Sequence, residues 1–318
     1  MMQSGSFFST IGAPQLRSGM PRFSERAVCL PSTEVPTHEY LLEGQGEAGR
    51  TGILLVHGLT GTPNEMRVLA RGLNNQGYTV LAVQLAGHCG TLQDLVGTSW
   101  LDWLCSVRRG ADVLARRVDR VFVGGLSMGA VLALALAQER PKQIAGVLAL
   151  SPVFRHDGWS MPCYTKLSFL LPVFRWLGIG RHSVFFERAP YGIKDEALRS
   201  RVVAKMRAGD SVASGLPGNP WWSVIEMRKL SASVLRRMEA LSVPCLVVHA
   251  KNDDIASVSN AFDIVSRARF AEVHLHLLNN SYHMITIDRE RRQVIDRAVA
   301  FVAAVVGRNQ HTGLDHVR

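Results

Sequence analysis

The sequence predicts an α/β protein with a mostly parallel sheet covered by helices on both faces. Three observations carry that reading. Short β-branched or apolar runs alternate along the chain with amphipathic or alanine-rich stretches, the pattern of strand-helix-strand units. A glycine-framed turn, Gly125-Leu126-Ser127-Met128-Gly129, joins one such strand to one such helix. The 318 residues, 47% of them apolar, suffice to bury a sizeable core as one unit with an insertion.

In chain order, strands are expected near 38–42, 52–57, 78–84, 120–125, 144–150, 243–249 and 272–278. The fourth is the run Arg120-Val121-Phe122-Val123-Gly124. The sixth, Val243 to His249, reads as continuously apolar and buried. In the last, Val273-His274-Leu275-His276-Leu277-Leu278, apolar and polar residues alternate with the period of a strand. Helices are expected near 63–76, 99–117, 128–139, 256–267 and 288–306, the third being the Ala/Leu run after Ser127. The alternation breaks from about Val153 to Ser242, which reads as an insertion. The implied division is an extension over 1–36, a core over 37–152 and 243–307, an inserted segment over 153–242, and a tail over 308–318.

The turn at Ser127 has the G-x-S-x-G pattern between a strand and a helix, which exposes a serine oxygen above a sheet. The glycines leave room where strand end and helix start approach each other. A nucleophilic serine needs a base to take its proton and a carboxylate to orient that base. In this kind of elbow they follow in the order serine, acid, histidine. Asp253 and Asp254 stand just past the sixth strand, where open α/β sheets build their sites, and His283 follows the last strand. The N–H of Met128, at the positive start of the helix, is one expected oxyanion donor.

The segments Leu54 to Pro63, Gly125 to Gly129, Ala250-Lys251-Asn252-Asp253-Asp254 and Asn280 to Asp288 resemble the bacterial carboxylesterase and monoacylglycerol lipase family of α/β-hydrolases. Gly87-His88-Cys89-Gly90-Thr91 and Thr98 to Trp103 share the likeness, which spans roughly residues 37 to 305 apart from a divergent middle. The resemblance implies an α/β-hydrolase fold whose insertion is a cap over the pocket. It implies Ser127 as nucleophile, Asp253 rather than Asp254 as the orienting acid, and His283 as general base. Leu59 supplies the second oxyanion N–H, Gly58 allows a close approach there, and His57 braces that loop. Cys89 and Ala250 stand where the family usually has glycine, and are read as packing adjustments, with a reactive thiol as the alternative for Cys89.

Within the cap, Phe169 to Ile179 is apolar and aromatic, interrupted by Pro172 and Arg175, and reads as an acyl-chain pocket, a lid surface touching lipid, or ordinary packing. Pro217 to Trp222 reads as a turn presenting two indoles, either as pocket wall or as cap core. The net charge of +10 is concentrated in 153–242, which holds fourteen Lys or Arg against seven Asp or Glu. A basic cap suits an anionic lipid surface or acidic substrates. The cations are scattered arginines without a dense run, so no nucleic-acid partner is expected. Five unpaired-looking cysteines argue against a disulfide framework or zinc site and favour a reducing, cytoplasmic setting. No run suits a secretory signal or membrane span, and the N-terminal segment reads as an extension or as sequence upstream of a start near Met20.

The expected activity is hydrolysis of a small-molecule ester with an apolar acyl chain, without metal or organic cofactor. The alternatives are an acyl-thioesterase or acyltransferase using the same three residues on a carrier-bound group, and a non-catalytic binding module built on the same fold.

Overall fold

The computed structural model describes residues 38–314 except 187, 208–214 and 217. The expected extension over 1–36, the last four residues and Pro217 lie outside the described residues. Seven strands form one sheet: β1 (Tyr40–Leu42), β2 (Thr51–Val56), β3 (Thr79–Val83), β4 (Arg120–Leu126), β5 (Ile144–Leu150), β8 (Cys245–Ala250) and β9 (Val273–Leu278), in the order β1-β3-β2-β4-β5-β8-β9. All neighbours pair in parallel except β1, which runs antiparallel along the edge of β3.

Residue alternation explains why both faces are covered. Leu54 and Val56 of β2 join one core cluster, and Ile53 and Leu55 join the other. A strand apolar on both faces must be buried on both. The first cluster packs α3 (Trp100–Ala115), α4 (Met128–Glu139) and α8 (Ser259–Arg267) on one face. The second packs α1 (Arg67–Asn74) and α9 (Arg291–Leu314) on the other. In α4, Met128 to Gln138 are all buried, as its apolar composition all the way round requires.

The strands match their expected positions closely, while helix limits differ. The stretch near 63–76 begins as a 3-10 turn at Pro63–Met66, capped by Thr62, before α1. A short helix not anticipated, α2 (Leu92–Val96), follows Thr91, whose side chain and Asp94 form a reciprocal capping box. The last helix runs on to Leu314, past both its expected end near 306 and the expected start of the tail at 308.

Between β5 and β8 the chain forms α5 (Leu171–Trp176), β6 (Val184–Phe186), α6 (Glu196–Arg207), β7 (Gly218–Pro220) and α7 (Trp221–Arg236), with β6 and β7 paired in a separate antiparallel ribbon. Leu171, Val224 and Ile225 make a small core of their own, joined by Phe174, Phe185, Trp221 and Trp222. Trp221 stacks on Phe185 at 5.4 Å, and Trp222 lies beneath Arg175 and Arg181. The two indoles therefore build this core and are not pocket wall. Farther along α7, Met227, Leu230 and Val234 enter the main core beside α4, so this half of the helix belongs to the central layers although 153–242 was read as one insertion.

Cys105 is disulfide-bonded, against the expectation drawn from cysteine number. An odd count leaves one thiol over but does not prevent a single pair. Cys89 and Cys245 are free and buried, and burial pushes both thiols up to about 12, which removes the nucleophilic thiolate. No helix among the described residues is long and apolar enough to cross a membrane.

Candidate active site

The loops that follow β2, β4, β5, β8 and β9 at the carboxyl end of the sheet each contribute to one cavity, through Leu59, Ser127, His156, Ile255 and His283. Ser127 occupies the turn between β4 and α4 with φ 59°, a left-handed conformation that is strained for a serine. A Cβ on Gly125 would lie 2.2 Å from the Gly129 carbonyl carbon, and one on Gly129 would lie 2.2 Å from the Val56 carbonyl oxygen. Both glycines are therefore steric requirements. Gly58 is different: an added Cβ would meet the Ser127 Cβ at 3.4 Å, ordinary contact, so the expected close approach is not what this glycine provides.

His283 follows β9 and lines the same cavity as Ser127, which has a volume of about 240 Å³. Its Nδ1 is 2.8 Å from Asp253 Oδ2. A carboxylate only accepts, so Nδ1 carries the proton and Nε2 keeps the lone pair. Asp253 is held in turn by the Ile255 and Ala256 N–H groups, which donate to its Oδ1 at 2.8 and 2.9 Å. Burial alone would raise this carboxyl, but His283, with His249 and the Ala256 N–H, outweighs it and holds Asp253 below the usual carboxylate range.

Asp254, the neighbouring acid, bonds to backbone groups. It accepts the Gly192 N–H at 2.9 Å and the His283 backbone N–H at 3.3 Å, and burial raises its carboxyl. Thus Asp253 touches the ring while Asp254 fixes the backbone beneath it. A further buried imidazole, His249, donates from Nε2 to the Ala256 carbonyl at 3.0 Å and lies 3.6 Å from Asp253 Oδ2.

Leu59 lines the cavity in the turn after β2, and no described backbone carbonyl accepts its N–H. The Met128 side chain is fully buried, which leaves its backbone N–H, at the first position of α4, as the group it can offer. His57 donates from Nδ1 to the Gly58 carbonyl at 2.9 Å and accepts the Leu85 N–H at Nε2, 3.2 Å away. Burial, with His88 beside it, drives its pKa well down, so this neutral ring ties the turn after β2 to the chain after β3. Glu65, not among the residues the sequence singles out, accepts the Gly58 N–H at 3.3 Å and reaches the cavity. Its signal was the Thr62-x-x-Glu65 spacing at a helix start.

The apolar run 169–179 does not line the cavity. Val173, Trp176, Leu177 and Ile179 are exposed, Trp176 by 84%, so the acyl-pocket reading of this run gives way to an outward surface. The cavity walls are supplied by Met161, Phe185, Ile193, Leu216 and Met227 among others.

A hydroxyl and a carboxylate-held imidazole on one cavity make an arrangement suited to acyl transfer. A family model described as serine aminopeptidase, S33, matches residues 48–290. A thermostable monoacylglycerol lipase of Bacillus sp. (strain H-257) is 28% identical over 261 residues, covering 82% of this chain and 94% of its own. A carboxylesterase of Bacillus subtilis (strain 168) is 26% identical over 246 residues, covering 77% and 89%. The crystal structure of a monoacylglycerol lipase from Paleococcus ferrophilus shares the fold with a TM-score of 0.68 at 18% identity, covering 84% of this chain and 100% of that one.

Proposed function

The chain belongs to the serine aminopeptidase S33 family, and from that premise we propose that it is a serine hydrolase of carboxylic esters that works through an acyl-enzyme on Ser127. The observation that carries this reading is the 2.8 Å bond from His283 Nδ1 to Asp253, on the cavity that Ser127 shares. Asp253 holds the imidazole in the tautomer whose Nε2 carries the lone pair that takes the serine proton as Oγ attacks the acyl carbon. The Leu59 and Met128 N–H groups stabilise the oxyanion. His283 then gives its proton to the departing alcohol, and a water activated by the same nitrogen releases the acid.

Monoacylglycerols and other medium-chain esters are the proposed substrates, in line with the relatives' names and the apolar cavity walls. The segment over 153–242 acts as a cap. Its exposed face, Val173, Trp176, Leu177 and Ile179 with Arg175 and Arg181 beside them, docks on an anionic lipid surface.

The test is a chain-length series of p-nitrophenyl esters and monoacylglycerols on wild type and Ser127→Ala, with a carrier-bound thioester and an aminoacyl anilide alongside. Ester turnover that peaks at one acyl length and vanishes in the variant is expected. Turnover of the thioester or anilide alone would move the assignment to thioester or amide chemistry.

A further inference from the structure

The cavity holds a second imidazole that the proposed chemistry does not use. His156 follows β5 and lines the same cavity as Ser127 and His283. The chain around it is fastened to the loop that carries Asp253. Before it, the Phe154 and Arg155 N–H groups both donate to Asn260 Oδ1, at 2.9 and 2.8 Å. After it, Asp157 accepts from the Ser257 N–H and from Asn260 Nδ2, at 2.8 and 2.9 Å. The Gly158 N–H donates to the Ile255 carbonyl, and Ser160 donates to the Asp254 carbonyl from both N–H and hydroxyl. No slack remains at Gly158, where a Cβ would lie 2.3 Å from the Asp254 carbonyl oxygen. The frame that positions the proposed acid therefore also positions His156.

The ring is half-buried, and neither of its nitrogens has a hydrogen-bond partner among the described residues. Burial, with His283 and Arg228 nearby, pushes its pKa down to about 4, so it is neutral at ordinary pH. A neutral imidazole presents one N–H donor and one lone pair. An acyl chain can use neither. A hydroxyl group can use both, since it donates and accepts. His156 and His283 line the same cavity, so both rings face the space that the ester and its departing alcohol would occupy.

We propose that His156 is a specificity-determining residue of this site and hydrogen-bonds a free hydroxyl on the alcohol portion of a polyol ester such as a monoacylglycerol. This rests on the ester-hydrolase reading above. It predicts that the enzyme distinguishes esters of one acyl chain by their alcohol.

The experiment compares kcat/KM for 1-decanoylglycerol and methyl decanoate in wild type, His156→Leu and His156→Gln, with the extent of fluorophosphonate labelling recorded for each protein. In His156→Leu the glyceryl ester should lose about tenfold or more, the effect of one lost hydrogen bond to a buried partner, while the methyl ester changes by less than about threefold. His156→Gln, which keeps a donor and an acceptor, should recover part of the loss, and labelling should stay at the wild-type level. Equal losses on both esters would mean a structural role and overturn the assignment. So would an unchanged rate on the glyceryl ester in His156→Leu. A wild type that hydrolyses neither ester would instead overturn the ester-hydrolase reading, and this assignment with it.

Discussion

Replacing Asp253 and Asp254 one at a time by asparagine should separate two adjacent buried acids by the character of the damage. In Asp253→Asn the single amide oxygen must choose between the Ile255 and Ala256 N–H groups and the His283 ring. Turning the NH2 toward the two backbone donors would leave both unsatisfied, at about 1–3 kcal/mol each. The oxygen therefore stays with them and the NH2 meets His283 Nδ1. The imidazole responds by moving its proton to Nε2, the nitrogen that must accept from Ser127. A base in the wrong tautomer lowers kcat by roughly 10⁴-fold, or about 5 kcal/mol of barrier. In Asp254→Asn one of the bonds to Gly192 and to the His283 backbone survives, and the ring keeps its own partner. The loss there should be about 1–3 kcal/mol of stability at most, offset by no longer burying a charge, with kcat down by roughly tenfold or less. Steady-state kinetics on a p-nitrophenyl ester with thermal melting of both proteins provides the assay. Equal loss of kcat in the two variants, or an Asp253→Asn enzyme within tenfold of wild type, would refute the reasoning.

Four other outcomes follow from the geometry. Gly129→Ala puts a methyl 2.2 Å from the Val56 carbonyl oxygen and 2.6 Å from that of His57. It should push the Leu59 turn away from Met128, costing about 1–3 kcal/mol of stability and on the order of 100-fold in kcat. Gly146→Ala, which meets the Phe122 ring edge at 2.9 Å and the Pro244 carbonyl oxygen at 3.3 Å, away from the Ser127 turn, should affect melting but leave the kcat of folded enzyme within a few-fold. His88 is fully buried and pushed down to about 4, against about 6.5 in the unfolded chain. Its neutral form is the one the fold accepts, so stability is full above about pH 6.5 and falls by about 3 kcal/mol as pH drops toward 4. Urea midpoints measured across that interval should show the slope, and His88→Asn should reduce it by the His88 share, leaving the part that other depressed imidazoles, His57, His156 and His249 among them, contribute. Finally, Trp176→Ser with Leu177→Ser should weaken co-sedimentation with phosphatidylserine vesicles without changing turnover of a soluble short-chain ester; undiminished sedimentation would remove the lipid-docking role.

The elements legible in the sequence were those with a local cause. The strands β2, β4, β5 and β8 are continuous apolar runs, and the turn at Ser127 declares itself through two glycines that the structure shows to be sterically necessary. The positions of Asp253 and His283 at strand ends were legible for the same reason. Their 2.8 Å contact joins residues thirty apart and is set by the parallel pairing of β8 with β9, which no local pattern encodes. The cap resisted reading because its apolar residues divide between a small core and an exposed face. Composition cannot tell Trp221, stacked on Phe185, from Trp176, which faces solvent. His156 was missed because a single histidine in a loop carries no periodic signal, and its place depends on a web of bonds to Asn260 and Asp254 about a hundred residues away. Its position just past the carboxyl end of a parallel strand was the available clue.

The most direct test of the central claim is covalent labelling with a fluorophosphonate, followed by intact-mass measurement and peptide mapping. The account predicts one adduct per chain, located on Ser127, with ester hydrolysis lost in proportion to labelling and no adduct on Ser127→Ala. Ester hydrolysis that survives full modification of Ser127, or an adduct that maps to another residue while Ser127 stays free, would contradict it.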